Sequence, residues 1–230
     1  MESTSQDTTH DLLLALAGRV DDDLLAWARE LVAVGEDGHA VEMLTASLTA
    51  DRVTLPAAVR SRLVELARAA RIELDADAEL TPAGPAERTE HRFATDEDGA
   101  GRVAAVLAGL PARQLHDCRV LLTHRRTAAG SAPGPLPHPV LIVQVEPGTR
   151  RPDMLSYQLA VALERSGLPA SVEVLTVGRT VPAYHAEALR SARPLRLDRA
   201  GTSSNERAAE TTVAVPALPG RRPATPPERP

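Results

Sequence analysis

Two loops that carry glycine and arginine are the strongest candidates for a binding site. They are Gly148-Thr149-Arg150-Arg151 and Gly178-Arg179-Thr180. Each follows an apolar segment that predicts a strand and precedes a segment that predicts a helix, so both are expected at the carboxyl edge of one sheet. Guanidinium groups and the free N–H groups of helix starts bind carboxylates and phosphates. The candidate anion- or partner-binding residues are Thr149, Arg150, Arg151, Arg179, Thr180, Tyr184 and His185.

A purely structural role for the same loops is the alternative. Glycine and proline are needed there to reverse the chain, and surface arginines normally point into water. Tyr184 and His185 stand in the first turn of the helix that follows the second loop, which is why they are counted with it. The pattern alone therefore leaves both interpretations open.

The residues that could take part in catalysis form no recognised catalytic motif. His116, Cys118 and His124 share one face only if a continuous strand joins them, and no fourth zinc ligand lies close in sequence. Cys118 is the only cysteine, which excludes an intramolecular disulfide. The chain has no lysine, so Schiff-base chemistry and a lysine-dependent phosphate loop are excluded. No nucleophile elbow or dinucleotide fingerprint occurs, and the sequence favours a protein that is not an enzyme and holds no metal or cofactor.

The elements that must position the two loops belong to a small α/β domain over residues 99–200. The apolar run Val140–Val145 is typical of a strand covered on both faces, and Val172–Val177 predicts the next strand. A helix begun by a proline follows each of them. This alternation favours right-handed crossovers and a partly parallel sheet. Upstream, either a strand over Cys118–Thr123 or a helix over Ala112–His124 fits the sequence.

The first 72 residues predict a bundle of four short helices. Apolar residues recur there at three- and four-residue spacing, and glycine, proline or polar residues separate the periodic runs. In the second helix the expected inward face is Leu24, Trp27, Ala28 and Leu31. Trp27 is therefore expected in the core rather than at a binding surface.

Two other segments lack such periodicity. Residues 73–98 are rich in acidic residues, threonine, proline and glycine, which predicts a flexible linker. Residues 201–230 end in a proline-rich stretch, which predicts a disordered tail. The expected fold is an N-terminal four-helix bundle, a flexible linker, a small α/β domain with a partly parallel sheet, and a disordered C-terminal tail.

The charge of the chain divides near residue 98. Residues 1–100 carry 21 acidic residues and 9 arginines, whereas residues 101–230 carry 10 acidic residues and 17 arginines. Either two solvated surfaces differ in sign, or the acidic half docks on the basic half, or the basic half meets an anion. The arginines are diffuse and only four residues are aromatic, so a nucleic-acid partner is disfavoured.

The expected location is the cytoplasm. No apolar run reaches the length of about 18 residues that a membrane span needs. The polar, acidic N-terminus is unlike a secretory signal peptide.

Two stretches resemble an uncharacterised actinobacterial family. They are Asp11–Val20 and Val172–His185, and the arginine-only basic set is typical of a high-GC genome. The resemblance would cover residues 11–197 and implies an N-terminal helical segment with a C-terminal α/β segment, but no activity and no site residues. Residues 24–52 also resemble one tetratricopeptide unit, which implies a groove for a peptide or protein; Arg52 stands where that family has a proline.

The sequence thus predicts a non-catalytic protein-interaction or adaptor protein of the bacterial cytoplasm. Its partner is expected to be another protein, or one half of the chain is expected to dock on the other. The alternative is a regulatory domain that binds a small anion or a phosphorylated ligand at the carboxyl edge of the sheet. An unrecognised hydrolase or transferase is the third interpretation.

Overall fold

The structure is a computed structural model that describes residues 2–84, 90–95, 99–130 and 136–197, apart from the side chains of residues 2–7 and 77. The predicted tail, residues 201–230, lies outside the described residues. Within them, no helix has both the length and the apolar character that crossing a membrane requires.

The first four helices follow the apolar periodicity of the sequence and confirm the helical prediction. They are α1 Glu2–Leu16, α2 Asp22–Ala33, α3 Asp37–Ala50 and α4 Ala57–Ala69. Pro56 immediately precedes α4, where its missing N–H costs no helical hydrogen bond. The helices pack around fully buried leucines that include Leu12, Leu16, Leu44, Leu48 and Leu63.

The inward face of α2 is shifted by about one position along the helix from the predicted face. The buried residues of this helix are Leu25, Ala28, Arg29, Val32 and Ala33. Trp27 is 65% exposed, so its expected place in the core is wrong. Positions 24–25 and 31–32 are all apolar, which makes two neighbouring helix faces almost equally suited to burial. The observed face is the one that directs Arg29 toward a buried carboxylate, Glu173.

Residues 73–98, predicted as a flexible linker, contain short elements where they are described. Helix α5 is Ala76–Glu79, and Leu80 after it is buried among the N-terminal helices. Leu55 and Pro82 form an isolated parallel bridge. Strand β1, Phe93–Ala94, joins the sheet.

The second half of the chain forms a mixed sheet, as predicted. Its other strands are β2 Arg119–Arg125, β3 His138–Val145, β4 Ser171–Thr176 and β5 Arg193–Pro194. The order is β1-β2-β3-β4, with β5 also paired to β2. Among the described strands, β3 and β4 pair in parallel and the other pairs are antiparallel. Of the two interpretations of residues 112–124, the structure has the strand.

Helices cover both faces of this sheet. They are α6 Ala100–Ala108, α7 Pro152–Arg165, which connects β3 to β4, and α8 Ala183–Ser191. On one face Leu141, Val143 and Val174 pack against α6 and α7. On the other face Ile142 and Leu175 pack with residues of α8 and α1.

Strand β4 ends the sheet, and its outer edge is covered as well. His10 on α1 lies with Nε2 2.9 Å from the carbonyl oxygen of Val174, and the Ser156 hydroxyl on α7 donates to the carbonyl oxygen of Val172 at 2.7 Å. Side chains of helices thus bond to edge carbonyl groups that face no other strand of the described residues. The described residues all belong to one compact unit.

Candidate interaction site

A buried ion pair joins the N-terminal helices to the sheet. Arg29 on α2 donates from Nη2 to both carboxylate oxygens of Glu173 on β4, at 2.7 and 2.6 Å. His185 on α8 lies with Nε2 2.8 Å from the same carboxylate. Burial alone would raise the pKa of Glu173, but the Arg29 guanidinium and the His185 hydrogen bond lower it to about 2. Glu173 therefore stays charged inside the protein.

A second ion pair lies at the start of α2. Asp22 accepts hydrogen bonds from Nη1 and Nη2 of Arg125 on β2, at 3.0 and 2.5 Å. Arg125 also donates to the hydroxyl of Tyr184 at 3.2 Å and is 1% exposed. Burial opposes the charge on Asp22, yet the hydrogen bonds and the positive charge of Arg125 lower the pKa of this carboxyl. The residues Asp22, Arg29, Arg125, Glu173, Tyr184 and His185 are called the interface cluster below.

Two glycines permit the close approach of helices and sheet at this cluster. Gly18, which follows α1, has φ of +79°, and a Cβ there would lie 2.5 Å from Nε2 of His91 and 2.6 Å from Cδ2 of Tyr184. Gly130, after β2, has φ of +64°, and a Cβ there would overlap the backbone nitrogen and side chain of Asp21. A side chain at either position would push the N-terminal helices and the sheet apart.

The two arginine loops meet at one pocket. Thr149, Arg150, Arg151 and Arg179 line a cavity of about 360 Å³ beyond the ends of β3 and β4. Thr180 is exposed and does not line it. Tyr184 and His185 lie in the interface cluster instead, because the first turn of α8 directs them into the protein.

Each guanidinium at this arginine pocket has a partner within the protein. Arg150 donates to the carbonyl oxygen of His116 at 2.9 Å. Arg151 donates to Asp153 at 2.5 Å, and Arg179 donates to Asp11 at 3.0 Å. An anion in the pocket would compete with these contacts.

A groove between α2 and α7 exposes the only tryptophan of the chain. The groove has a volume of about 440 Å³. Its α2 wall contains Asp23, Trp27 and Glu30, which stand four and three residues apart and so share one face of the helix. Its α7 wall consists of Tyr157, Ala160, Val161 and Glu164, which share a face in the same way. These residues form the walls of the α2–α7 groove, and Asp22, His138 and Ser171 lie at its base. The groove is also lined by Ala26, Arg29, Pro169, Ala170 and Val172.

The base of the groove has serine, histidine and aspartate side chains but not the geometry of a nucleophile. Nε2 of His138 accepts the backbone N–H of Ser171 at 3.2 Å and lies 2.9 Å from its hydroxyl oxygen. The Ser171 hydroxyl donates to Asp22 at 3.1 Å. In a hydrolytic triad the carboxylate binds the other imidazole nitrogen and leaves Nε2 free to take the hydroxyl proton. Here the Ser171 hydroxyl already donates to Asp22, and Nε2 of His138 accepts the Ser171 backbone N–H rather than the hydroxyl proton.

The described residues contain no group of three or more His, Cys, Asp and Glu side chains that could hold a metal ion. His116, Cys118 and His124 are therefore not brought together as a metal site. His116 contacts Asp117 at the surface, whereas His124 is buried.

Sequence reasoning missed both the α2–α7 groove and the interface cluster. A signal for the cluster was present: Glu173 interrupts an apolar strand and Arg29 an apolar helix, and buried charges need partners. A signal for the groove was the pair of adjacent apolar residues at both 24–25 and 31–32 of α2. Either of two helix faces can then be buried, which allows Trp27 to face outward.

Comparison of the chain with protein-family models, with curated proteins and with solved structures finds no match. The resemblances to an actinobacterial family and to a tetratricopeptide unit stay predictions. The function of this chain is therefore inferred from its own geometry and charge.

Proposed function

We propose that this chain is a non-catalytic protein-interaction or adaptor protein whose binding surface is the α2–α7 groove. The observation that carries the proposal is the 65% exposure of Trp27 beside the half-buried Tyr157. Tryptophan and tyrosine supply much of the binding energy at protein interfaces. A partner that covers Trp27 would remove its large apolar surface from water.

The interface cluster supports this proposal because it fixes the α2 wall of the groove to the sheet that also carries the α7 wall. Ion pairs to Glu173 and Arg125 hold α2, and α7 is covalently continuous with β3 and β4. In this proposal the acidic half of the chain docks on the basic half to form a preorganised surface, which lowers the entropic cost of binding. A cytoplasmic location in an actinobacterium completes the proposal and rests on composition and resemblance.

Affinity capture tests the proposal. Full-length protein serves as bait in a lysate of the native host, next to Trp27→Ala and Val34→Ala. Val34 is the control because it is 62% exposed and lies outside the groove. We expect proteins that bind the wild type and Val34→Ala but are lost with Trp27→Ala. The same set on all three baits, or on none, would contradict the proposal.

A second candidate is a regulatory domain that binds a small anion or a phosphorylated ligand at the arginine pocket. The convergence of Thr149, Arg150, Arg151 and Arg179 on one cavity favours it. Calorimetric titration with inorganic phosphate should give saturable binding that Arg150→Ala/Arg151→Ala/Arg179→Ala abolishes. Arg165→Ala, an exposed arginine of α7 outside the pocket, is the control. Equal affinity of the triple variant and the wild type would refute this candidate.

A further inference from the structure

We propose that the α2–α7 groove recognises an arginine side chain within an extended peptide segment of the partner. This inference rests on the function proposed above and names the partner's chemistry. It follows from the charges that line the groove, the position of its aromatic rings and its length.

The exposed charges of the groove are negative. Asp23, Glu30 and Glu164 are exposed along its walls. The positive charge of Arg29 is compensated by Glu173, and the negative charge of Asp22 is compensated by Arg125. Burial lowers the pKa of His138, which keeps that imidazole neutral near pH 7. A cation is therefore attracted to the groove, and a phosphate or nucleic acid is repelled.

Two of these carboxylates flank Trp27 along α2. Asp23 lies one helical turn before Trp27 and Glu30 one turn after it, on the same face of α2. A guanidinium stacks on an indole ring through its face and donates through its edge to carboxylates. An ammonium group lacks the planar face, so arginine fits this arrangement better than lysine.

The length of the groove calls for a peptide rather than a small amine. Asp23 and Glu30 are seven residues apart on α2, which corresponds to about 10 Å along the helix axis. Ala26 on one wall and Ala160 and Val161 on the other offer apolar surface beside the charged positions. An arginine with apolar neighbours in an extended segment would contact all of these.

Fluorescence titration tests the inference directly, because Trp27 is the only tryptophan in the chain. The probe is an eight-residue peptide with a central arginine between leucine and valine, compared with the same peptide carrying citrulline. Citrulline keeps the planar shape of arginine and removes its charge. We expect saturable binding of the arginine peptide, about ten-fold weaker binding of the citrulline peptide, and affinity that decreases with salt. Equal affinities, or no saturable signal, would overturn the inference.

Charge variants supply the second arm. Asp23→Asn/Glu30→Gln should weaken binding of the arginine peptide about ten-fold, whereas Glu65→Gln on α4 should leave it unchanged. Because Asp23 stands in the first turn of α2, where a carboxylate favours the helix, Glu30→Gln alone is measured as well. Circular dichroism melting checks that each variant is folded. Unchanged affinity in both the double and the single variant would overturn the inference.

The two proposals can fail separately. If Trp27→Ala abolishes protein capture but Asp23→Asn/Glu30→Gln does not, the interaction function stands and the arginine preference is wrong. If Trp27→Ala captures the same proteins as the wild type, the interaction function itself is wrong.

Discussion

Arginine–carboxylate pairs in two regions of this protein differ in their surroundings. In the interface cluster, Arg29 and Glu173 are 6% and 1% exposed as side chains. At the arginine pocket, Arg179 and Asp11 are 47% and 28% exposed. A pair that water can replace contributes little to stability, whereas a buried pair cannot lose one partner without leaving an uncompensated charge. The surface pair is therefore free to exchange partners, and the buried pair holds the layers together.

Glu173→Gln should show the largest effect. It leaves the Arg29 guanidinium buried without its counter-charge, so we expect the free energy of unfolding to fall by about 3–5 kcal/mol. Urea denaturation measures this loss. The double variant Arg29→Met/Glu173→Leu removes both charges and should recover most of it. If Glu173→Gln is as stable as the wild type, the ion pair does not hold the layers together.

Gly18→Ala should be the next most damaging change. The methyl group would overlap His91 and Tyr184, and the backbone would be strained at φ of +79°. The combined cost is expected to be about 2–4 kcal/mol in urea denaturation.

Gly35→Ala is the matched control for this substitution. Gly35 has φ of +88°, but nothing lies within 4 Å of the added methyl group. Only the backbone cost of about 1–2 kcal/mol should remain. If the free energy of unfolding falls equally in both variants, the close approach at Gly18 does not contribute to stability.

Acid should also weaken the contact between the N-terminal helices and the sheet. Burial lowers the pKa values of His10, His91 and His138, and that of His91 falls to about 4. As the pH falls below the unfolded value of about 6.5, the unfolded chain binds protons first. The free energy of unfolding should therefore be highest above pH 6.5 and fall toward pH 4, by at most about 1.4 kcal/mol per pH unit for each histidine. Urea titrations between pH 7 and pH 4 measure this slope.

Glu173 extends the same trend to lower pH. Its pKa is about 2 in the folded protein against an ordinary value of 4.5, so its contribution is present above about pH 4.5 and is lost as the pH falls toward 2. The histidine contribution has its own test. His91→Gln should flatten the dependence of the free energy of unfolding on pH between pH 6.5 and pH 4, whereas His39→Gln, at an exposed position, should not. A pH-independent stability would contradict this account.

Arg179→Ala should have the smallest effect on stability. Both Arg179 and its partner Asp11 are partly exposed, so we expect a loss below about 1 kcal/mol in urea denaturation. A loss as large as that of Glu173→Gln would remove the distinction between the two regions.

The positions of the arginine loops were predictable, whereas the outward turn of Trp27 was not. Thr149 and Arg179 follow two strands joined by one crossover helix, and consecutive parallel strands bring their carboxyl ends together. For α2, residues 24–25 and 31–32 leave two apolar faces of nearly equal quality. The choice between them depends on Glu173, which lies 144 residues away from Arg29 along the chain. Local periodicity carries no information about such a partner.

The same long-range dependence applies to Tyr184 and His185. Their place in the first turn of α8 was predictable, but whether that turn faces the sheet edge or the protein interior depends on what α8 packs against. Contacts with Arg125 and Glu173 direct these side chains inward.

The cover over the outer edge of β4 has a consequence for self-association. His10 and Ser156 occupy carbonyl groups that would otherwise be available to a strand from another molecule. An open edge of this kind is where one chain adds to the sheet of another and aggregation begins. Helix α1 thus contributes to keeping separate copies of this protein from joining their sheets.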